Sequence, residues 1–282
     1  MKCIFCQNSK ISRRKVEKSN ADVVIYKEDK ADTTDATDVI DKIDEIDETD
    51  RIDRAVYDLN IYDKLKADAK YLAEEFFKLK EKGANNINLV TAAHFLPTVR
   101  EAIDTAKKQG FDLPFVYNTS SYEKKEAIKS LDGLIDVYLP DFKYIRNETA
   151  LKYSKAFDYP EVAKSAIEEM VRQQKKQIFY ESNGQKLIKN GVIVRHLCLP
   201  GNKEESMECI KYLYDTYGDL ITISIMNQYT PMTTECQYKE LNRKLTTYEY
   251  NRIVDYAISL GIENAYIQEG KTCEKSFIPD FR

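Results

Sequence analysis

The sequence has no run of the roughly 18 apolar residues that a membrane-spanning helix needs, and no apolar stretch follows basic residues at its start as in a secretory signal. A cytoplasmic protein with no membrane partner is therefore expected. A disulfide framework is missing as well. Of six cysteines in 282 residues, four are scattered singly, at Cys198, Cys209, Cys236 and Cys273. In a chain this long, that pattern reads as small buried hydrophobes. Beyond the short run "SRRK" there is no basic, aromatic-interleaved stretch, so nucleic acid is not an expected partner.

What is present suits a globular protein. With 43% hydrophobic residues the chain can bury the core of one large α/β domain or two small ones. The formal charge of −4 is unevenly spread: between Lys27 and Arg54 there are twelve acidic and five basic residues, a local net of −7, which leaves about +3 for the remainder. Within that segment aspartate recurs at every third position from Asp32 to Asp53. A step of three advances about 300° around a helix, so neither the aspartates nor the interleaved isoleucines form a face. Residues 27–60 therefore read as a solvated low-complexity insertion. Calcium binding of the EF-hand type is excluded, because the glycine and closing glutamate of that loop are missing.

From Ile61 the pattern becomes that of a folded domain, 61–282. Ile61, Leu65, Ala69, Leu72, Phe76 and Leu79 recur at helical spacing, and Gly83 supplies the left-handed stop. Short apolar runs then alternate with helical stretches. The runs are "NINLVT", "PFVYN", "LIDVYLPDF", "GVIVRHLCLP", "ITISIMNQY" and "NAYIQ"; the helices run from Pro97 to Lys108, from about Ser121, between Asn147 and Gln174, from Lys203, and from Thr246 to Leu260. Strands separated by such helices imply right-handed βαβ units and a parallel sheet, as a full or partial barrel. The segment "QIFYESNGQKLIKNG", with two Asn-Gly steps, breaks the rhythm as a hairpin or extended loop.

In such folds the loops at the carboxyl ends of the strands carry function. Here they are polar in succession: Thr91 and His94, then Asn118, Thr119 and Ser120, then Asp141 and Lys143, then Arg195 and His196, then Asn227 and Gln228. Asp141 and Lys143, two apart on a strand, share a face and suit an ion pair or a zwitterionic ligand. Arg195 and His196 are adjacent and face opposite sides, so one of them reaches the interior. His94 is a candidate for hydrogen bonding to ligand or substrate. At the start of the chain, Cys3 and Cys6 form a CxxC pair, a metal or redox element in a reducing compartment. Two thiolates do not complete a metal site, so either partners come from elsewhere in the chain, or something that should precede Met1 is absent, or the pair is incidental.

Nine strings taken in order, "CIFCQN", "GANNINLVTAAHFLP", "PFVYNTSSYE", "IDVYLPDFKY", "KYSKAFDYPEVAKSAIEEMVRQ", "GVIVRHLCLPG", "ISIMNQYTP", "LNRKLTTYEY" and "FIPDFR", resemble one branch of the radical S-adenosylmethionine proteins, the relatives of pyruvate formate-lyase activating enzyme. The resemblance covers Met1 to about Ser12 and about Lys64 to Arg282. It implies an α/β fold, a partial (β/α)6 TIM-like barrel, with its first strand missing or incomplete here. It implies a CxxxCxxC loop holding a [4Fe-4S] cluster, reductive cleavage of S-adenosylmethionine to a 5'-deoxyadenosyl radical, and a reduced flavodoxin- or ferredoxin-like electron donor. The protein or small-molecule substrate is not implied.

By that resemblance Cys3 and Cys6 match the second and third cysteines of the motif, with Phe5 as the aromatic before the last, and residues 1–26 are a remnant of the cluster-binding loop. The first cysteine would lie four residues before Cys3, upstream of Met1. "NINLVT", with Asn88 and Thr91, takes the place of the segment that holds the methionine amino group. Asn118 with Ser120, and Asp141 with Lys143, fall in the methionine or ribose environment; "VRHLCLPG", with His196, and "NQYTP" fall on the adenine and substrate side. Three functions stay open: a radical enzyme of glycyl-radical-activase type, a barrel that binds ligand but assembles no cluster, and a structural protein whose CxxC pair forms half of a zinc site completed by dimerisation.

Overall fold

The computed structural model describes residues 24–26, 69–182, 185–231 and 237–268. Cys3, Cys6, the aspartate-rich stretch, Cys236 and Cys273 lie outside them. Helix α1, residues 69–81, buries Ala69, Leu72, Ala73 and Phe76 and leaves Tyr71 and Lys78 outside, as the 3.6-residue period requires. It ends at Gly83, whose φ of +84° is a left-handed turn open to glycine at little cost. Strand β2 (Ile87–Val90) follows, then α2 (Leu96–Lys108), which starts with a proline in its first turn and buries Val99, Ala102, Ile103 and Ala106.

The alternation continues with β3 (Phe115–Thr119), α3 (Lys125–Lys129), β4 (Val137–Pro140), α4 (Asn147–Ser154) and α5 (Tyr159–Gln174). Strands β5 (Ile178–Ser182) and β6 (Gln185–Leu197) form an antiparallel hairpin, as the Asn-Gly steps suggest. Then come α6 (Lys203–Tyr217), β7 (Thr222–Met226), α7 (Thr247–Ser259) and β8 (Ala265–Ile267). Helix α7 begins at a capping box, in which Thr246 and Glu249 satisfy each other's backbone amides. Expectation and structure differ at α3. The helix expected from about Ser121 begins at Lys125, because Ser121 adopts a φ of +63° and the chain from Ser120 to Lys124 is a loop.

Strands β2, β3, β4, β6, β7 and β8 lie side by side in that order and are all parallel. A short strand β1 (Val24–Tyr26) pairs antiparallel with the outer edge of β2. Parallel strands that follow one another across a sheet through right-handed crossovers place all their helices on one face. Burial agrees. Leu89, Tyr117, Tyr138, Val192, Val194, Ile223 and Ile225 are closed off beneath the helices, while Asn88, Val116, Asn118, Leu139, Ile193, Arg195 and Ser224, on the alternate face, are half-buried. The fold is thus mixed α/β and compatible with a partial TIM-like barrel; among the described residues the sheet stays open between β1 and β8. No described helix is long and apolar enough to cross a membrane.

Candidate functional site

All six parallel strands end along one edge of the sheet, and the register decides which of their polar residues meet. Asn118 pairs with Leu139 across β3 and β4, and Asp141 bridges to Arg195 across β4 and β6. Paired residues of parallel strands project to the same side. Asn118, Asp141 and Arg195 therefore converge on the half-exposed face, and Lys143, two residues past Asp141, joins them.

Arg195 is the centre of the set. Its Nη2 lies 2.7 Å from Asp141 Oδ1 and donates to Asn118 Oδ1 at 2.6 Å. Lys143 Nζ donates to the other Asp141 oxygen. Burial acts to raise the Asp141 pKa, but the attraction of Arg195 and Lys143 outweighs it and holds the carboxyl below its usual range. Two cations face one carboxylate, leaving a residual positive charge that suits an anionic group such as a carboxylate. Arg195 Nε, a buried donor, lacks a protein partner; Asn88 Oδ1, a buried acceptor also without one, lies on the same face but three strands away and level with Gly191. Buried polar atoms are almost always satisfied, so a spare donor within the charged cluster points to a ligand that offers it an acceptor.

Two strand ends carry backbone strain at the same edge. Thr91, directly after β2, has φ 56° and ψ 32°, a left-handed conformation uncommon for a β-branched residue. Its amide donates to the Asn118 carbonyl at 3.1 Å. Ser121, after β3, is left-handed and fully buried, with its Oγ unpartnered. Strain of this kind gathers at ligand clamps and catalytic loops. Ser120 is half-buried between them, and its carbonyl accepts from the Tyr159 hydroxyl at 3.1 Å. The loop is also tied from within: Glu123 accepts from the Tyr117 hydroxyl at 2.8 Å and from the Thr119 hydroxyl. Burial raises the Glu123 pKa, while those two hydrogen bonds oppose the rise.

His196 does not join the set. It faces the helices, 2% exposed, with Nδ1 2.8 Å from the Phe142 carbonyl. The cavity it lines with Lys143, Glu205 and Ser206 has a volume of about 10 Å³, room for no more than a water molecule. Burial lowers its pKa to about 4, so the ring is neutral at physiological pH. Of the adjacent pair, Arg195 is the residue that reaches the half-exposed face. His94 is exposed on the turn Ala92–Phe95, edge-on to the Phe95 ring. Cys198 and Cys209 are fully buried, and burial pushes the Cys198 thiol up to about 12, a poor source of thiolate. Glu123 and Tyr159, which the sequence reading did not single out, belong to the surroundings of the site.

Fold and site together define an α/β protein with a charged, partly unsatisfied polar cluster at the carboxyl ends of its parallel strands. No protein-family model matches the chain. It is similar to the "Uncharacterized protein MJ0674" of Methanocaldococcus jannaschii, at 26% identity over 193 residues, which are 68% of this chain and 52% of that protein. The chain thus spans about half the length of the curated relative it matches. Among solved structures it is similar to a domain of pyruvate-formate lyase-activating enzyme from Bacteroides vulgatus ATCC 8482, with a TM-score of 0.47 and 10% identity, covering 66% of this chain and 100% of that one.

Proposed function

We propose that this chain is part of a radical S-adenosylmethionine enzyme of the glycyl-radical-activase type. The observation that carries the reading is the cluster of Asn118, Asp141, Lys143 and Arg195 on the half-exposed face, with spare hydrogen-bonding capacity at Arg195 Nε. A methionine-type ligand offers a carboxylate to the two cations and to the spare Arg195 Nε, so the residues fit that group. The nine strings of the family resemblance support the same reading. Arg195 and Lys143 would hold the carboxylate, the Thr91 turn, beside Asn118, the amino end, and Asn118 and Ser120 the ribose.

Bound beside an iron-sulfur cluster, S-adenosylmethionine supplies a primary carbon radical that abstracts hydrogen from a protein or small-molecule substrate. Val90, Val116, Leu139, Ile193, Leu197 and Met226, on the same sheet face as Arg195, would shield such chemistry from water. Cys3 and Cys6, outside the described residues, are the proposed thiolate ligands of a [4Fe-4S] cluster, with a reduced flavodoxin- or ferredoxin-like protein as electron donor. The test is iron and sulfide content after anaerobic reconstitution. A chain extended at its start to carry a cysteine four residues before Cys3 is expected to take up both, and Cys3→Ala or Cys6→Ala in it to lose them together with any cluster-dependent cleavage of S-adenosylmethionine. Unchanged iron and turnover in the variants would sink the assignment, and zinc in a dimer would favour the structural reading.

A further inference from the structure

Where a parallel sheet ends, neighbouring strands part and their last backbone groups lose their ladder partners. At the β3–β4 edge this parting is sharp. Asp141 N still donates to Thr119 O at 2.9 Å, but one residue later Phe142 N has turned to Arg195 O of β6 at 2.8 Å. The chain after β4 thus leaves β3, and three backbone groups are released: the carbonyls of Ser120 and Asp141 and the amide of Lys143. One side chain collects all three. The Tyr159 hydroxyl accepts from Lys143 N at 2.9 Å, and its proton faces Asp141 O at 2.8 Å and Ser120 O at 3.1 Å.

Tyr159 is built for that position. It opens α5, is fully buried, and its ring is stacked on Tyr122 at 6.0 Å and set edge-on to Tyr144 at 5.5 Å. The same device recurs at the other end of the sheet. Tyr250, in the first turn of α7, donates to Ile225 O and accepts from Gln268 N, both at 2.9 Å, joining the ends of β7 and β8. We infer that Tyr159 is a positioning residue of the ligand site: its hydroxyl fixes the backbone of Ser120, Asp141 and Lys143 relative to one another, and so sets the geometry of the charged cluster. The inference rests on the reading of that cluster as the S-adenosylmethionine site. It matters because displacements of about 1 Å in a positioned group cost binding and catalysis severely.

Tyr159→Phe removes the oxygen and keeps the ring, so the core stays filled. Tyr153→Phe is the control: it deletes a hydroxyl from the same aromatic cluster, one that donates to Glu240 Oε1 at 2.6 Å rather than to the site. Two measurements decide, hydrogen exchange at the Lys143 amide and equilibrium binding of S-adenosylmethionine. In Tyr159→Phe the amide is expected to exchange about tenfold faster and the ligand to bind about tenfold more weakly, with Tyr153→Phe like wild type in both. Wild-type protection and affinity in Tyr159→Phe, or equal losses in both variants, would overturn the inference. Failure of the wild-type chain to bind would instead overturn the functional reading, and the exchange of the Lys143 amide would then decide the positioning role alone.

Discussion

Arg195 and His196 show how one residue step separates a site from a core. Alternation along a strand says that they face opposite ways but not which of them faces inward. The register between β4 and β6 decides, because the Asp141–Arg195 bridge brings Arg195 to the charged cluster. His196 is left with a structural role that makes a testable difference in acid. Burial lowers its pKa to about 4, against the partial opposition of its bond to Phe142 O, whereas the unfolded value is about 6.5. Between those values the unfolded chain binds the extra proton, so this contribution is complete above about pH 6.5 and is lost as pH falls toward 4, by roughly 3 kcal/mol in all. The unfolding free energy of wild type, measured in urea relative to His196→Gln, should therefore shrink between pH 7.5 and pH 5. A difference independent of pH would refute it. Asp141, Lys143 and Asn118 were legible in the sequence because polar residues at successive strand ends stand out. Tyr159 was not, since nothing local distinguishes an aromatic that opens a helix from one that fills a core. Glu123 was hidden for a similar reason: its partners Tyr117 and Thr119 sit on the preceding strand, reached by a loop whose left-handed Ser121 carries no glycine to mark it.

At the scale of elements, the helices and strands with clear periodicity and punctuation were readable. Gly83 and Gly110 end their helices, Pro97 opens α2, and Thr246 with Glu249 caps α7. The exception, α3, is short because the preceding loop folds back on β3. Strand β6 poses a different problem, since it belongs to a hairpin in its first half and to the parallel sheet in its second. Gly191 sits at that change of partner, with φ +146°. A Cβ there would lie 3.1 Å from Gln177 Cγ and from Ile188 Cδ1, and 3.3 Å from the Gln177 backbone. Gly191→Ala is expected to cost about 1–3 kcal/mol from strain and overpacking, seen as a lower urea midpoint with an unchanged slope. Wild-type stability would contradict that role for the glycine. Gly191 also begins the half of β6 that carries Arg195.

In the whole molecule, one topological fact organises the rest. Six parallel strands in sequence order put the connecting helices on one face and the carboxyl ends of the strands on one edge, so Asn118, Asp141, Lys143 and Arg195 meet from three different strand ends. Alternation of strand and helix made this architecture readable; its closure and the pairing of β1 depend on side-to-side register, to which a single sequence is nearly silent. The claim that matters most is that the charged cluster binds S-adenosylmethionine. Isothermal titration of that ligand into wild type, Asp141→Asn and Arg195→Met, each shown to be folded by circular dichroism, tests it most directly. Saturable binding by wild type, weakened about tenfold or more in both variants, is the expected result. No binding by wild type, or variants that bind as tightly as it does, would contradict it.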